Sequence, residues 1–232
     1  MRSQLLGIVL LALLAACQSP ATPPTSTATS TPLPAPTATI PPPLTAGPVK
    51  IPSANGQAIS AEVKGSGDTA IVFANMSDDY SGVWLNLINK LDKDKFTLVN
   101  FNYTAPEPDA ARADIDAVLK FLEEHGVKHT ICVGASLGTL ACTHAAKHSN
   151  MTGLVFMSGP ASDTLAEVKY PKLFVVAEMD GTFTASTQAM YDAAAEPKTI
   201  KIFPGYAHGA AMFLDNSLEL TPYIADFLNK LP

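Results

Sequence analysis

From residue 49 onward, short apolar runs alternate with amphipathic stretches. Val49-Lys50-Ile51 and Ala58-Ile59-Ser60-Ala61-Glu62-Val63 alternate apolar and polar side chains around Asn55-Gly56, the pattern of two strands about a turn. Lys64-Gly65-Ser66-Gly67-Asp68 reads as a further turn, and residues 69–74 as a buried strand. Residues 82–91 carry Trp84, Leu85, Leu87, Ile88 and Leu91 at helical spacing, and residues 96–101 form the next strand. A helix over 109–125 turns Ile115, Val118, Leu119 and Leu122 inward. Thr130-Ile131-Cys132-Val133 is a β-branched strand, and the alanine-rich segment 139–147 a helix. Strands follow at 153–157 and 172–177, then a helix at 184–195, a last strand at 199–203 and a closing helix at 217–230. Strands alternating with helices predict an α/β domain: a mainly parallel sheet with helices on both faces. In such sheets the sites lie at the carboxyl ends of the strands.

Before residue 49 the pattern changes. Met1-Arg2-Ser3-Gln4 carries one positive charge, and residues 5–16 are apolar, the length of a signal-peptide core and too short to span a bilayer. The run ends Leu14-Ala15-Ala16-Cys17. Small residues before a cysteine resemble the bacterial lipobox, which implies a diacylglycerol on Cys17 and cleavage before it; the competing reading is an ordinary cleavage site with a chance cysteine. Residues 18–49 hold no charged side chain and are mostly Pro, Thr, Ala and Ser. They cannot bury a core and are expected to stay extended, reaching up to roughly 90 Å at about 3.1 Å per residue. The expected division is a lipoprotein signal peptide at 1–16, the lipidated Cys17 and tether at 17–48, and a folded domain at 49–232. That places the domain outside the cytoplasm, lipid-anchored to the bacterial cell membrane.

Composition narrows the function. The 232 residues, 47% hydrophobic, suffice for one domain with a full core. A net charge of -6 gives no reason to expect nucleic-acid binding. No Cys/His cluster has metal-ligand spacing and no glycine-rich nucleotide loop is present, so no cofactor is expected. The domain is read as a monomer.

The chemistry centres on Gly134-Ala135-Ser136-Leu137-Gly138, set between a predicted strand and a predicted helix. Such a turn pushes the serine hydroxyl out above the sheet edge, and the flanking glycines let strand and helix pass closely. The stretch resembles the nucleophile elbow of the α/β-hydrolase superfamily. The resemblance implies the α/β-hydrolase fold, Ser136 as nucleophile and the Leu137 N–H as one oxyanion-hole donor. In that superfamily the triad acid follows a strand, a small residue and two variable residues. Ala177-Glu178-Met179-Asp180 fits, with Asp180 as the acid; Asp163 is the fallback and Glu178 a weaker one. The bland alternative for Asp180 is a turn aspartate before Gly181, or a helix cap. Of five histidines, His208 follows the last strand between small residues, Ala207 and Gly209, and completes the expected order Ser136, Asp180, His208. His125, His129, His144 and His148 read as surface or capping residues.

One stretch departs from the superfamily pattern. Aligned on Trp84, Asn75-Met76 stand where many members have His-Gly. This resembles a small dienelactone-hydrolase-like and esterase-like branch that also shows Gly-Ala-Ser-x-Gly and a Glu-Pro-Lys stretch, here Glu196-Pro197-Lys198. The second oxyanion donor is then the N–H of Met76 or of Ser77. Only fourteen residues, 158–171, separate two predicted strands, too few for a lid domain. Tyr80, Tyr103, Phe183, Tyr206, Met212 and Phe213 fall near strand ends and are candidates to line a short apolar cleft, or else core residues. Asp78 and Asp79 lie beside the oxyanion loop, either capping the next helix or repelling anionic substrates. The expected activity is serine-hydrolase cleavage of short-chain, uncharged carboxylic esters, ahead of thioesters or peptides. The alternative is a non-catalytic lipoprotein that kept the fold as a binding module. Cys132 and Cys142 are expected as two inert buried thiols, because strand-to-helix spacing is often too wide for a bridge; pairing is the alternative.

Overall fold

The computed structural model describes residues 42, 44–77, 81–162 and 164–231. The expected leader, Cys17 and most of the tether lie outside them, as do Asp78, Asp79, Tyr80 and Asp163. The strands are β1 (Gly47–Pro52), β2 (Ala58–Lys64), β3 (Thr69–Ala74), β4 (Phe96–Asn102), β5 (His129–Ala135), β6 (Met151–Met157), β7 (Lys172–Ala177) and β8 (Lys198–Phe203). They form one sheet in the order β1-β2-β4-β3-β5-β6-β7-β8. β1 pairs antiparallel with β2, and β2 antiparallel with β4. Every other pairing is parallel, so β3 to β8 end along one edge of the sheet. Every expected strand is present, with ends moved by a residue or two.

The helices are α1 (Leu85–Ile88), α2 (Pro108–Glu124), α3 (Leu137–Ala145), α4 (Thr182–Ala193), α5 (Met212–Asp215) and α6 (Ser217–Asn229). Here the structure corrects the helix expected over 82–91. Residues 81–84 form a tight 3-10 turn, and α1 is only four residues long. The burial has helical spacing, with Trp84, Leu87, Ile88 and Leu91 inside. Gly82, Asn86 and Asn89 are weak helix formers, which explains why the helix does not extend. The turn Thr164–Glu167 and the helix α5 were not legible in the pattern.

Two cores flank the sheet, and β5 serves both because its side chains alternate. Cys132 enters the core beneath α2 and α3; Ile131 and Val133 enter the one shared with α1 and α6. From Thr130 to Ala135 every β5 residue is buried, as expected for a strand covered on both faces.

The expectation for the cysteines is overturned: Cys132 and Cys142 form a disulfide, with Cα atoms 5.5 Å apart. The usual strand-to-helix spacing does not apply, because α3 lies directly on β5. A Cβ on Gly134 would overlap the Gly138 carbonyl and come within 2.8 Å of the Cys142 sulfur. The elbow glycines thus also bring the two thiols within bonding reach.

Candidate active site

The site grows out of the junction of β5 and α3. Ser136 has φ 50 and ψ -112, outside the regions a serine ordinarily occupies. The surroundings hold it there. Its N–H donates to the Met157 carbonyl at 2.9 Å, and its own carbonyl accepts from the Thr139 N–H at 2.9 Å and the Thr139 hydroxyl at 2.6 Å. Gly138 lies against the carbonyl of Ala74, where any Cβ would collide with the backbone. Leu137 opens α3, so its N–H has no acceptor within the helix.

Asp180 and His208 are brought together by the neighbouring strands β7 and β8. The Glu178 N–H donates to the Phe203 carbonyl and the Met179 N–H to the Gly205 carbonyl, which carries the pairing past both strand ends. Beyond it, His208 Nδ1 lies 3.0 and 3.1 Å from the two carboxylate oxygens of Asp180. Asp180 is buried, and the imidazole keeps about a third of its surface exposed. Phe183, in the first turn of α4, covers the ring with its centroid 4.2 Å away.

Gly209 draws the His208 loop against the elbow. A Cβ built there would stand 3.4 Å from the Ala135 Cβ and 2.8 Å from the Met76 sulfur. The loops after β3, β5 and β8 therefore meet at one point, with Met76, Ser136 and His208 around it. Among the described residues Ser136 Oγ has no hydrogen-bond partner, so no bond links it to the imidazole, whose Nδ1 is on Asp180. In unliganded sites of this kind such bonds are often long and tighten only around substrate.

Other residues singled out above fall into place one by one. Glu178 is exposed, and its carboxylate has no partner among the described residues. His125 Nδ1 lies 2.7 Å from the Phe121 carbonyl at the end of α2, and His129 is exposed. His144 and His148 both place Nε2 on Asp116, at 2.9 and 3.0 Å. Tyr206 is 75% exposed. Tyr103 stacks edge-on to Phe101 in the core beneath α2, its hydroxyl buried without a partner among the described residues. Met212 is corrected, and Phe213 takes its core alternative: both are fully buried in the core with Trp84 and offer a substrate no surface. The α5 turn, invisible in the sequence pattern, is what rotates them inward.

Two features escaped sequence reasoning. Asn75 sends its side chain into the scaffold, donating to the Phe101 carbonyl at 2.6 Å and to Asn102 Oδ1 at 3.2 Å while accepting the Trp84 indole N–H. It fixes the loop after β3 and leaves Met76 against Gly209; the pairing of Asn75 with Trp84 was the available signal. Ser158, just past β6, accepts the Gly209 N–H at 2.8 Å. Among the described residues, no group of three His, Cys, Asp or Glu side chains is set to hold a metal ion, and no helix is long and apolar enough to cross a membrane.

No family model matches the chain, and no curated protein matches it by sequence. Solved structures do. The esterase domain of a Rhodothermus marinus protein superposes with TM-score 0.67 at 12% identity, covering 81% of this chain and 99% of that one. An esterase from Rhodococcus sp. ECU1013 gives 0.67 at 14% identity, covering 80% and 100%. A proline iminopeptidase from Mycobacterium smegmatis gives 0.65 at 13% identity, covering 79% and 98%. With the mostly parallel eight-stranded sheet and its flanking helices, these similarities establish the α/β-hydrolase fold.

Proposed function

We propose that this α/β-hydrolase domain is a serine hydrolase cleaving carboxylic esters through an acyl-enzyme. The observation that carries the reading is the His208–Asp180 pair, 3.0 Å apart, together with a serine strained at the turn after β5. With Nδ1–H donated to Asp180, His208 Nε2 takes the Ser136 proton as Oγ attacks the ester carbonyl. The N–H of Leu137 and that of Met76 or Ser77 stabilise the oxyanion. His208 then gives its proton to the departing alkoxide, and Ser136 stays acylated. A water deprotonated by His208 attacks the acyl carbon, and the carboxylic acid leaves as Ser136 recovers its proton.

Carboxylic esters come before thioesters and peptides because solved structures similar to this chain include several esterases beside one iminopeptidase. Short, uncharged acyl groups are favoured because little chain lies between β6 and β7 to cover a long one. Phe183, tilted against His208, and the exposed Tyr206 remain candidates to touch substrate. The proposal includes a lipid on Cys17 that tethers the domain outside the cytoplasm.

Fluorophosphonate labelling tests the reading. The intact protein is expected to acquire one phosphonyl group on Ser136, identified by mass spectrometry, with loss of p-nitrophenyl acetate hydrolysis. A protein that neither labels nor hydrolyses would be the binding module instead.

A further inference from the structure

We infer that Ser158 is a positioning residue: its hydroxyl fixes the backbone of Gly209 and thereby sets the His208 imidazole between Asp180 and Ser136. The inference rests on the hydrolase reading above. Ser158 follows β6, the strand beside β5. Its side chain is fully buried. Its φ is 55, and among the described residues only Ser136 shares that non-glycine peculiarity. A serine persists in this conformation only where its surroundings fix it. One fixing bond is the Ser158 N–H to the Val175 carbonyl, at 2.9 Å.

That backbone turn directs Oγ at the N–H of Gly209, 2.8 Å away. Gly209 is buried, has φ 56 and is wedged between Met76 and Ala135. Its N–H would otherwise be a buried donor with no acceptor. Gly209 adjoins His208, so the anchor acts one residue from the imidazole's own backbone. The contacts with Met76 and Ala135 limit how far Gly209 moves inward; the Ser158 bond sets its orientation. The two strained serines at adjacent strand ends thus divide the work, Ser136 presenting an oxygen and Ser158 aligning the base.

The test compares the intact protein with Ser158→Ala and Ser158→Cys, the sulfur being a weak acceptor. For Ser158→Ala, kcat on p-nitrophenyl acetate is expected to fall about 10- to 100-fold while KM changes by less than about threefold. Ser158→Cys should lie between that variant and the wild type. The low-field NMR resonance of the His208 Nδ1 proton, held by Asp180, should broaden or move in Ser158→Ala with unchanged far-UV circular dichroism; a purely structural serine would lower the unfolding midpoint and leave that resonance alone. A folded Ser158→Ala with kcat within twofold of wild type and an unmoved resonance overturns the inference. If Ser158→Ala does not fold, the same two readouts are taken on Ser158→Cys, and failure of both to fold assigns Ser158 to the scaffold and overturns it too. A wild type that is inert to fluorophosphonate refutes the hydrolase reading instead, and the resonance then decides the Ser158 inference by itself.

Discussion

His208 Nδ1 lies within 3.1 Å of both carboxylate oxygens of the buried Asp180. A bond shared between two oxygens fixes the ring plane as well as the tautomer, which a base needs if its other nitrogen is to meet a serine. Ser136→Ala and His208→Ala are therefore expected to lower kcat for ester hydrolysis by about a thousandfold or more, with the fold intact. Asp180→Asn keeps the shape but loses the charge that supports the imidazolium, and should cost less. Steady-state kinetics with circular dichroism check all three; full activity in purified Ser136→Ala ends the proposal.

Acyl-chain selectivity follows from the connection between β6 and β7. Among the described residues of 158–171 there is one 3-10 turn, Thr164–Glu167, and no further helix or strand. A long acyl chain then buries little apolar area, at about 25 cal/mol per Å². Across p-nitrophenyl esters from acetate to palmitate, with detergent constant, kcat/KM should peak below eight carbons. A maximum at eight or more would mean that mobile loops build a deeper acyl pocket.

Membrane attachment is tested at Cys17. Cys17→Ser should release the protein from membranes or block its maturation. Wild-type protein found soluble, with no lipid on Cys17 by mass spectrometry, rejects the anchor.

The Cys132–Cys142 bridge closes a short loop around the elbow, with a sequence separation of 10. Loop-closure entropy for that length corresponds to about 2–3 kcal/mol. A Cys132→Ala/Cys142→Ala double variant should lose stability of that order in urea unfolding, and reductant should affect only the wild type. Equal midpoints for the two proteins would show that the bridge adds nothing.

Lys172 is buried in β7, its ammonium donating to the Val168 carbonyl at 2.8 Å and the Tyr170 carbonyl at 2.7 Å. Burial pulls its pKa down to about 8 from the ordinary 10.5. Between those values the unfolded chain holds a proton that the folded chain has released, so stability rises with pH through that window. Burial moves Tyr103 and Tyr170 upward, so each opposes the rise once unfolded tyrosine ionises above about pH 10. Urea midpoints at constant ionic strength should therefore climb from pH 8 to 10, and Lys172→Met should flatten the climb.

What the sequence disclosed was local chemistry. Ser136 was legible because an elbow needs glycines at fixed offsets, and the strands were legible because burial on both faces leaves continuous apolar runs. Asp180 and His208, which the structure pairs, were singled out by the acid pattern and the chain order of the superfamily that the elbow resembles. The disulfide was not, because the approach of α3 to β5 depends on two glycines acting on a third and fourth residue. Met212 and Phe213 look like cleft residues until a four-residue helix turns them inward. Ser158 carries no motif at all; its role depends on a bond to a residue 51 positions away.

The sheet's two halves differ in how they would answer a pull. β1 is an edge strand paired in the sheet with β2 alone, through an antiparallel hairpin that leads into the domain at Gly47. β5 has a partner on each side and sits four strand spacings away, about 19 Å at roughly 4.8 Å each. Force or a protease acting on the chain ahead of Gly47 would therefore fray β1 first, and the serine elbow would be among the last parts of the domain to feel it.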